Sequence, residues 1–236
     1  MSKPFQFKQF TVHQDKCAMK IGTDGVLLGA WTSDNNPLSV LDIGAGTGIL
    51  SLMLAQRSNA HTIEAIEIDE DAFEQCSENF ESSIWNDRLF CYHASLLEFV
   101  EEVDDKYDLI VCNPPFYSED YKTKNEARDL ARFNDAMPFE HIIYAVANLL
   151  SENGIFSVVI PNKEESYFIE LANKVRLIPK RILHVKGNAE SKIKRSLVEF
   201  SFKKGTIERS ELIIENGRHN YTEDYINLTK DFYLKM

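Results

Sequence analysis

Leu41-Asp42-Ile43-Gly44-Ala45-Gly46-Thr47-Gly48 joins an apolar run to three glycines spaced G-x-G-x-G. The run, which begins at Ser39, predicts a buried parallel strand, and apolar residues recur at helical spacing after Gly48. Glycine adopts a positive φ at little cost and lets a ligand come close to the backbone. The segment therefore predicts a strand-to-helix turn that binds a cofactor. The alternative is a turn that the glycines merely shape.

Strands alternate with helices on both sides of this turn. The alternation predicts an α/β fold with a doubly wound, mostly parallel sheet of seven strands. The last two of these strands, Arg181 to Val185 and Leu197 to Phe202, have no helix-length insert between them. We therefore expect them to pair antiparallel and to close one edge of the sheet.

Local signals predict where several elements begin and end. Thr23 to Trp31 is expected to form a helix with Thr23 or Asp24 as its N-cap. Pro138 to Leu150 is expected to form a helix that stops near Asn153-Gly154. Phe5 to Val12 alternates apolar and polar residues, which predicts a short strand or hairpin arm.

The simplest division is a domain at residues 38–236 preceded by an N-terminal extension at residues 1–37. No apolar stretch approaches the roughly 20 residues of a membrane span, and the first residues lack the apolar core of a signal peptide. The four cysteines show no C-x-x-C spacing and the six histidines are scattered. The composition thus predicts a cytoplasmic protein with reduced thiols, no metal site and no membrane partner.

A carboxylate ends the next predicted strand, Thr62 to Glu67. Because parallel strands end at the same edge of a sheet, we expect Glu67 beside the glycine loop, where it can accept the hydroxyls of a ribose. Ile68 would either pack on an adenine face or belong to the core. The spacing is not the G-x-G-x-x-G of dinucleotide sites, yet these residues alone fit either NAD or S-adenosylmethionine (SAM).

Asn113-Pro114-Pro115-Phe116 leaves the carboxyl end of another predicted buried strand. An exocyclic amine is a poor nucleophile, and two acceptors on its hydrogens would stabilise the positive charge that nitrogen gains during methylation. The Asn113 side chain and the Pro114 carbonyl are two such acceptors, held in place by the prolines. Phe116 offers a flat face to a base taken out of its stack. A rigid strand-to-helix turn is the alternative.

Leu41 to Gly48 and Asn113 to Phe116 together resemble the Rossmann-like class I SAM-dependent N-methyltransferases. A narrower stretch, Met19-Lys20-Ile21-Gly22-Thr23-Asp24-Gly25-Val26-Leu27-Leu28-Gly29-Ala30-Trp31, is similar to one bacterial family. That family methylates N6 of the adenosine 3′ to the anticodon in a valine tRNA. The resemblance covers the chain from about Phe5 to the C-terminal helix. It implies SAM as cofactor and a valine-specific tRNA as partner, and we expect a monomer.

By this resemblance, Lys20 to Gly25 flank the methionine part of SAM, with Thr23 or Asp24 at its polar end. Ser95 stands where many class I methyltransferases carry an Asp that contacts the adenine amine, and its hydroxyl could still accept that bond. The candidate cofactor residues are therefore Lys20, Thr23, Asp24, Asp42, Gly44, Gly46, Gly48, Glu67, Ile68 and Ser95.

The same Asn-Pro-Pro geometry would serve other planar amines. A DNA adenine, a ribosomal guanine and a protein glutamine remain alternatives, as does a non-catalytic protein that binds SAM or RNA. A glutamine methyltransferase is disfavoured because only about 37 residues precede the first central strand, too few for a separate substrate domain.

The charge distribution points to a limited RNA contact. The net charge is −11, yet Lys174 to Arg209 holds eleven lysines and arginines against three glutamates. Within that basic segment, Lys192, Lys194 and Arg195 on a polar turn are the preferred phosphate contacts. Arg128 and Arg132 would share one helix face and form a second candidate set. The alternative for the basic segment is that its charges are solvated faces of edge strands. The alternative for Arg128 and Arg132 is an ordinary salt-bridged helix.

Overall fold

The computed structural model of the chain describes residues 3–115 and 137–235. A hairpin of β1 (Phe5–Gln6) and β2 (Thr11–Val12) stands apart from the central sheet. The central strands are β3 (Ser39–Ile43), β4 (Thr62–Glu67), β5 (Leu89–His93), β6 (Tyr107–Cys112), β7 (Leu150–Pro161), β8 (Ile178–Asn188), β9 (Arg195–Ser201), β10 (Glu208–Gly217) and β11 (Asn220–Tyr221). The helices are α1 (Thr23–Trp31), α2 (Ile49–Arg57), α3 (Glu70–Glu81), α4 (Leu96–Glu102), α5 (Phe139–Leu149), α6 (Glu165–Lys174) and α7 (Glu223–Thr229).

The central strands lie in the order β11-β10-β8-β9-β7-β6-β3-β4-β5. Pairing is parallel from β7 through β6, β3 and β4 to β5, and β9 runs antiparallel between β7 and β8. The α/β prediction and the antiparallel pair are therefore confirmed. Within the described residues the sheet has nine strands rather than seven. The pair β8 and β9 does not close the edge, because β10 adds in parallel to β8.

Successive strand residues point to opposite faces of the sheet, and this alternation divides the core in two. On one face, residues such as Val40, Leu109 and Val111 pack with α1, α2, α3 and the hairpin. On the other, Leu41 and Ile110 pack with α4, α5 and α6. Both faces of the central strands are buried, which explains why their sequences are nearly continuous apolar runs.

The start of α1 differs from the prediction. Gly22 is the N-cap and provides no side-chain hydrogen bond, so Thr23 and Asp24 lie inside the helix. The Asp24 carboxylate instead accepts a 2.7 Å hydrogen bond from Nε of Arg195 at the start of β9. A long-range ion pair therefore outcompetes the local cap.

The segment after α5 also differs from the prediction that the helix stops near Asn153-Gly154. The helix α5 ends at Leu149 and the strand begins at Leu150, so Asn153-Gly154 lies within a strand. Leu150 pairs with Tyr107 and Ile155 pairs with Leu109, and the extra residues between them form a bulge. The turn-forming dipeptide thus marks an irregularity of the sheet.

Residues near the two ends of the chain meet beside the hairpin. Phe7 and Tyr233 form an antiparallel bridge, and their rings stack with centroids 5.8 Å apart. The amide of Lys8 donates a 2.8 Å hydrogen bond to the carbonyl of Phe232. Among the described residues, no helix has the length and apolarity that a membrane crossing requires.

Candidate active site

A pocket of about 310 Å³ opens at the carboxyl ends of β3, β4 and β6, within the size range of small-molecule sites. Sequence-predicted residues that line it are Gly44, Gly46, Glu67, Ile68, Ser95, Asn113 and Pro115. The glycine loop and the Asn-Pro-Pro loop therefore share one cavity, as their positions after parallel strands predict.

The three loop glycines all have left-handed backbone conformations, with φ of 71° at Gly44, 56° at Gly46 and 78° at Gly48. Gly48 is the N-cap of α2 and lies against the protein interior. A Cβ at this position would stand 2.6 Å from Cε1 of Phe80 and 2.9 Å from Sγ of Cys76. Gly44 and Gly46 thus face the ligand space, whereas Gly48 lets the loop pack on α3.

Glu67 is held at the base of the pocket by three backbone amides. Its Oε1 accepts from the amides of Ile68 (2.8 Å) and Asp69 (3.0 Å), and its Oε2 accepts from Gly46 (2.7 Å). A carboxylate offers about four acceptor positions, so one remains on Oε2. The carboxylate is fixed in place and still able to accept one ligand hydroxyl without losing a backbone partner.

Asp42 lies beneath the glycine loop rather than among the residues that line the pocket. Its Oδ2 accepts from the amide (3.2 Å) and the hydroxyl (2.8 Å) of Ser51, in the first turn of α2. The side chain is fully buried, and this burial raises the pKa of Asp42 to about 7. Asp42 therefore ties α2 to the end of β3.

The walls beyond Glu67 suit the flat apolar faces of a nucleoside. Ile68 is 56% exposed and lines the pocket, so it is not a core residue. Ser95 also lines the pocket, and its hydroxyl accepts from the amide of Glu98 in a capping box at the start of α4. A Cβ on Gly44 would stand 3.4 Å from Cε of Met137, so a larger residue would narrow the cavity. These residues fit a SAM molecule.

The Asn-Pro-Pro loop forms the opposite end of the pocket. Asn113 and Pro115 line it, and Pro114 is buried between them. A Cβ on Gly25 of α1 would lie 3.6 Å from Nδ2 of Asn113, in ordinary contact. The amide nitrogen of Asn113 thus faces α1. Phe116 lies outside the described residues.

The N-terminal segment supplies one wall through Cys17, Ala18 and Met19. Cys17 is buried, and this burial, followed by the negative charge of Glu67, raises the pKa of its thiol to about 12. Lys20 and Thr23 are exposed and do not belong to the described lining. Nζ of Lys20 instead donates to the carbonyls of Gln14 and Cys17.

The candidate RNA contacts divide into three groups. Lys192 and Lys194 are exposed on the turn between β8 and β9. Arg195 follows this turn as the first residue of β9 and is paired with Asp24. Arg128 and Arg132 lie outside the described residues. Over residues 3–115 and 137–235, no group of His, Cys, Asp and Glu could hold a metal ion.

Several lining residues were not predicted, and tertiary packing explains why. Leu97, Met137, Pro138 and His141 line the pocket from α4 and from the segment around the start of α5. None of them belongs to a motif. Cys17 and Ala18 immediately precede the stretch that carries the narrower resemblance, which was the one available signal.

A doubly wound sheet with such a pocket at the carboxyl ends of β3, β4 and β6 defines the Rossmann-like methyltransferase class. The chain belongs to the methyltransferase small domain family, whose model matches residues 20–178. A tRNA1(Val) (adenine(37)-N6)-methyltransferase from Flavobacterium psychrophilum is 65% identical over 98% of this chain and 100% of its own length. Proteins with that name from Christiangramia forsetii and Trichodesmium erythraeum are 57% and 42% identical, over 100% and 98% of this chain and 99% and 98% of theirs.

Solved structures support the fold. A predicted O-methyltransferase from Agrobacterium tumefaciens superposes with a TM-score of 0.68 and 18% identity, covering 89% of this chain and 96% of that one. A ribosomal protein L11 methylase from Lactobacillus delbrueckii subsp. bulgaricus gives 0.54 and 20%, covering 76% and 77%. At these identities the similarity shows the methyltransferase fold alone.

Proposed function

We propose that this protein transfers a methyl group from SAM to the exocyclic N6 of adenosine 37 in tRNA1(Val). The observation that carries the proposal is the shared pocket of Glu67 and Asn113, which puts a ribose acceptor and an amine acceptor at opposite ends of one cavity. Relatives of that name, 42–65% identical over nearly the whole chain, supply the nucleotide and the RNA.

In this proposal the pocket has a cofactor end and a target end. Glu67 holds the ribose of SAM, and Gly44 and Gly46 let the protein backbone come close to SAM. Ile68 and Ser95 flank its adenine. The segment before β3 completes the cofactor end through Cys17 and Met19, and residues 38–236 form the catalytic domain. The lining of the pocket is mainly apolar, which supports a ligand with a flat heterocycle.

SAM supplies an electrophilic methyl group when bound. The side-chain oxygen of Asn113 and the carbonyl of Pro114 accept the two hydrogens of the adenine amine and turn its lone pair toward that group. The same two acceptors stabilise the positive charge that nitrogen gains as the new bond forms. The methylated nitrogen then loses one proton to solvent, so no strong base is required.

Phe116, together with His141 on α5, would flank the extruded base. The RNA would be held by the exposed turn that carries Lys192 and Lys194. Because the protein carries a net charge of −11, only such a local basic surface would attract phosphate, and the acidic remainder would limit indiscriminate binding. We further propose that the protein acts as a cytoplasmic monomer.

The deciding experiment is methyl transfer from labelled SAM to total tRNA, ribosomal RNA, DNA and release-factor protein in parallel. The substrates should come from cells that lack this protein, and the products should be digested and identified. Label in N6-methyladenosine of tRNA1(Val) is the expected result. Label only in guanosine, DNA or glutamine would support methyltransferase activity and refute tRNA1(Val) as the substrate.

A further inference from the structure

We propose that the ion pair between Asp24 and Arg195 positions the first turn of α1 against Asn113 and thereby orients the amide that receives the target amine. The inference rests on the proposed function. It assigns Arg195 to positioning within the protein rather than to an RNA phosphate, and Asp24 to the same task rather than to the cofactor.

The pair joins two distant parts of the fold. Nε of Arg195 donates to Oδ2 of Asp24 at 2.7 Å, across 171 residues of sequence. The two side chains are 32% and 29% exposed, so the contact is partly shielded from water. The Arg195 backbone pairs with Pro161 of β7 and Val185 of β8, so the cation projects from the interior of the sheet.

The first turn of α1 is weakly hydrogen-bonded, although Val26 is fully buried in the core. Its N-cap, Gly22, contributes no side-chain hydrogen bond, and the amide of Val26 reaches the carbonyl of Gly22 only at 3.5 Å. The far end of the helix is fixed separately, since Ser33 donates its amide and hydroxyl to Glu199 at 2.6 and 2.9 Å. Loss of the ion pair would therefore loosen the start of α1, while Val26 and the residues after it stay docked.

That first turn lies beside the catalytic loop. Gly25 follows Asp24, and a Cβ at Gly25 would lie 3.6 Å from Nδ2 of Asn113. The Asn113 nitrogen therefore faces α1, which leaves the side-chain oxygen for the substrate. A shift of the first turn of α1 changes the space beside the side-chain nitrogen of Asn113. The side-chain amide can then rotate, which moves its oxygen away from the target amine.

The test compares Asp24→Asn, Arg195→Gln and the double variant with the wild type. We expect kcat for tRNA methylation to fall about tenfold to hundredfold in each single variant, as small misplacements of catalytic groups do. The double variant should lose no more than either single, because both remove one interaction. The KM for tRNA and the Kd for SAM should stay within about twofold, as expected when only transition-state contacts are lost.

Two further variants separate positioning from general damage. Gly25→Leu presses on Asn113 and on Ile49 of α2 without touching the ion pair, and it should reproduce the loss of kcat. Glu211→Gln removes a comparable ion pair, with Lys186 at 2.9 Å on β8, and should leave kcat unchanged. Partial recovery in the swapped pair Asp24→Arg with Arg195→Asp would show that the attraction itself matters.

Three outcomes would overturn the inference. Unchanged kcat with a raised Kd for SAM in Asp24→Asn would return Asp24 to the cofactor. A raised KM for tRNA with a shallower salt dependence in Arg195→Gln alone would make Arg195 a phosphate contact. Normal kcat in all three variants would remove any role for the pair. A wild-type protein inactive on tRNA would instead refute the proposed function, whatever the variants do.

Discussion

The carboxylate of Glu67 and the backbone amide of Gly46 are joined by a 2.7 Å hydrogen bond, which makes the end of β4 and the glycine loop one unit. The two residues lie 21 positions apart in the chain. Because this bond ties Gly46 to the end of β4, the glycine loop keeps its conformation before a ligand arrives. The cofactor end of the pocket is thereby preorganised.

Replacing Glu67 by Gln should weaken SAM binding. The amide loses the charge that strengthens hydrogen bonds, and such bonds contribute about 1.5–3 kcal/mol each, which corresponds to roughly a tenfold to hundredfold rise in Kd. Isothermal titration with SAM measures the effect. Glu81→Gln, at the exposed end of α3, is the matched control. An unchanged Kd in Glu67→Gln would remove Glu67 from the cofactor site.

Replacing Asn113 by Ala should abolish turnover while SAM still binds. Loss of one preorganised group that stabilises developing charge lowers kcat by about 10²–10³-fold. Single-turnover methylation of tRNA together with SAM titration separates the two steps. Asn148→Ala removes an exposed amide on α5 that bonds only its own helix among the described contacts, and it should behave like the wild type. Full activity of Asn113→Ala would refute the role of Asn113.

Gly48→Ala should destabilise the fold far more than Gly46→Ala. Both positions have positive φ, but a Cβ at Gly48 would stand 2.6 Å from Phe80, whereas nothing lies within 4 Å of one at Gly46. Backbone strain costs about 1–2 kcal/mol in each variant, and overpacking adds about 1–3 kcal/mol at Gly48 alone. Urea unfolding measures the difference. Equal losses of stability in the two variants would show that the side chains of Phe80 and Cys76 move aside at little cost.

The buried Asp42 should make stability depend on pH. Burial raises its pKa from the ordinary 3.8 to about 7 in the folded protein. A group whose pKa is higher when folded favours folding below the unfolded pKa, and this contribution disappears as the pH rises through the folded pKa. Relative to Asp42→Asn, the wild type should thus lose stability between pH 4 and pH 8, by on the order of 4 kcal/mol.

Asp42→Asn is a suitable reference because its amide oxygen can still accept from Ser51. Urea unfolding of both proteins at pH 4.5, 6 and 8 gives the comparison. A difference in free energy of unfolding that stays constant over this range would mean that Asp42 titrates normally.

The turn between β8 and β9 should contribute to RNA affinity through charge alone. Lys192→Gln and Lys194→Gln should each weaken tRNA binding at low salt and reduce the slope of log K against log[salt] by about one. Filter binding across a salt series measures this slope. Lys174→Gln, whose cation pairs with Glu170 at 3.2 Å on α6, is the control. Unchanged slopes in the turn variants would place the RNA elsewhere.

Features that rest on local sequence were predictable. The strands β3 and β4 match their predicted ranges because buried parallel strands are short apolar runs with clear breaks. Asp69 is the N-cap of α3, with its side chain 2.8 Å from the amide of Ala72, and a bond that spans only three residues depends on local sequence alone. The two loops of the pocket follow from the same logic, since each directly follows a strand.

Features that depend on distant partners were not predictable. Aspartate is a common N-cap residue, but the carboxylate of Asp24 pairs with Arg195, 171 residues away. The strand β10 spans ten residues, seven of which pair with β8, and only Leu212 to Ile214 form an apolar run typical of a strand. His141 reaches the pocket because α5 packs on the sheet, and the helical pattern around it does not reveal which residues face the pocket.

The contact between Phe7 and Tyr233 bears on when the protein becomes competent during synthesis. The segment that ends in Cys17 and Met19 is seated partly by Phe232 and Tyr233, through the Lys8 amide and the stacked rings. The ribosome makes Phe232 and Tyr233 after the hairpin and the strands of the central sheet. The sheet can form earlier, but the wall beside the cofactor closes only after translation has passed Tyr233. A nascent chain that has not reached Tyr233 would therefore hold both loops of the pocket while this wall still lacks its partner residues.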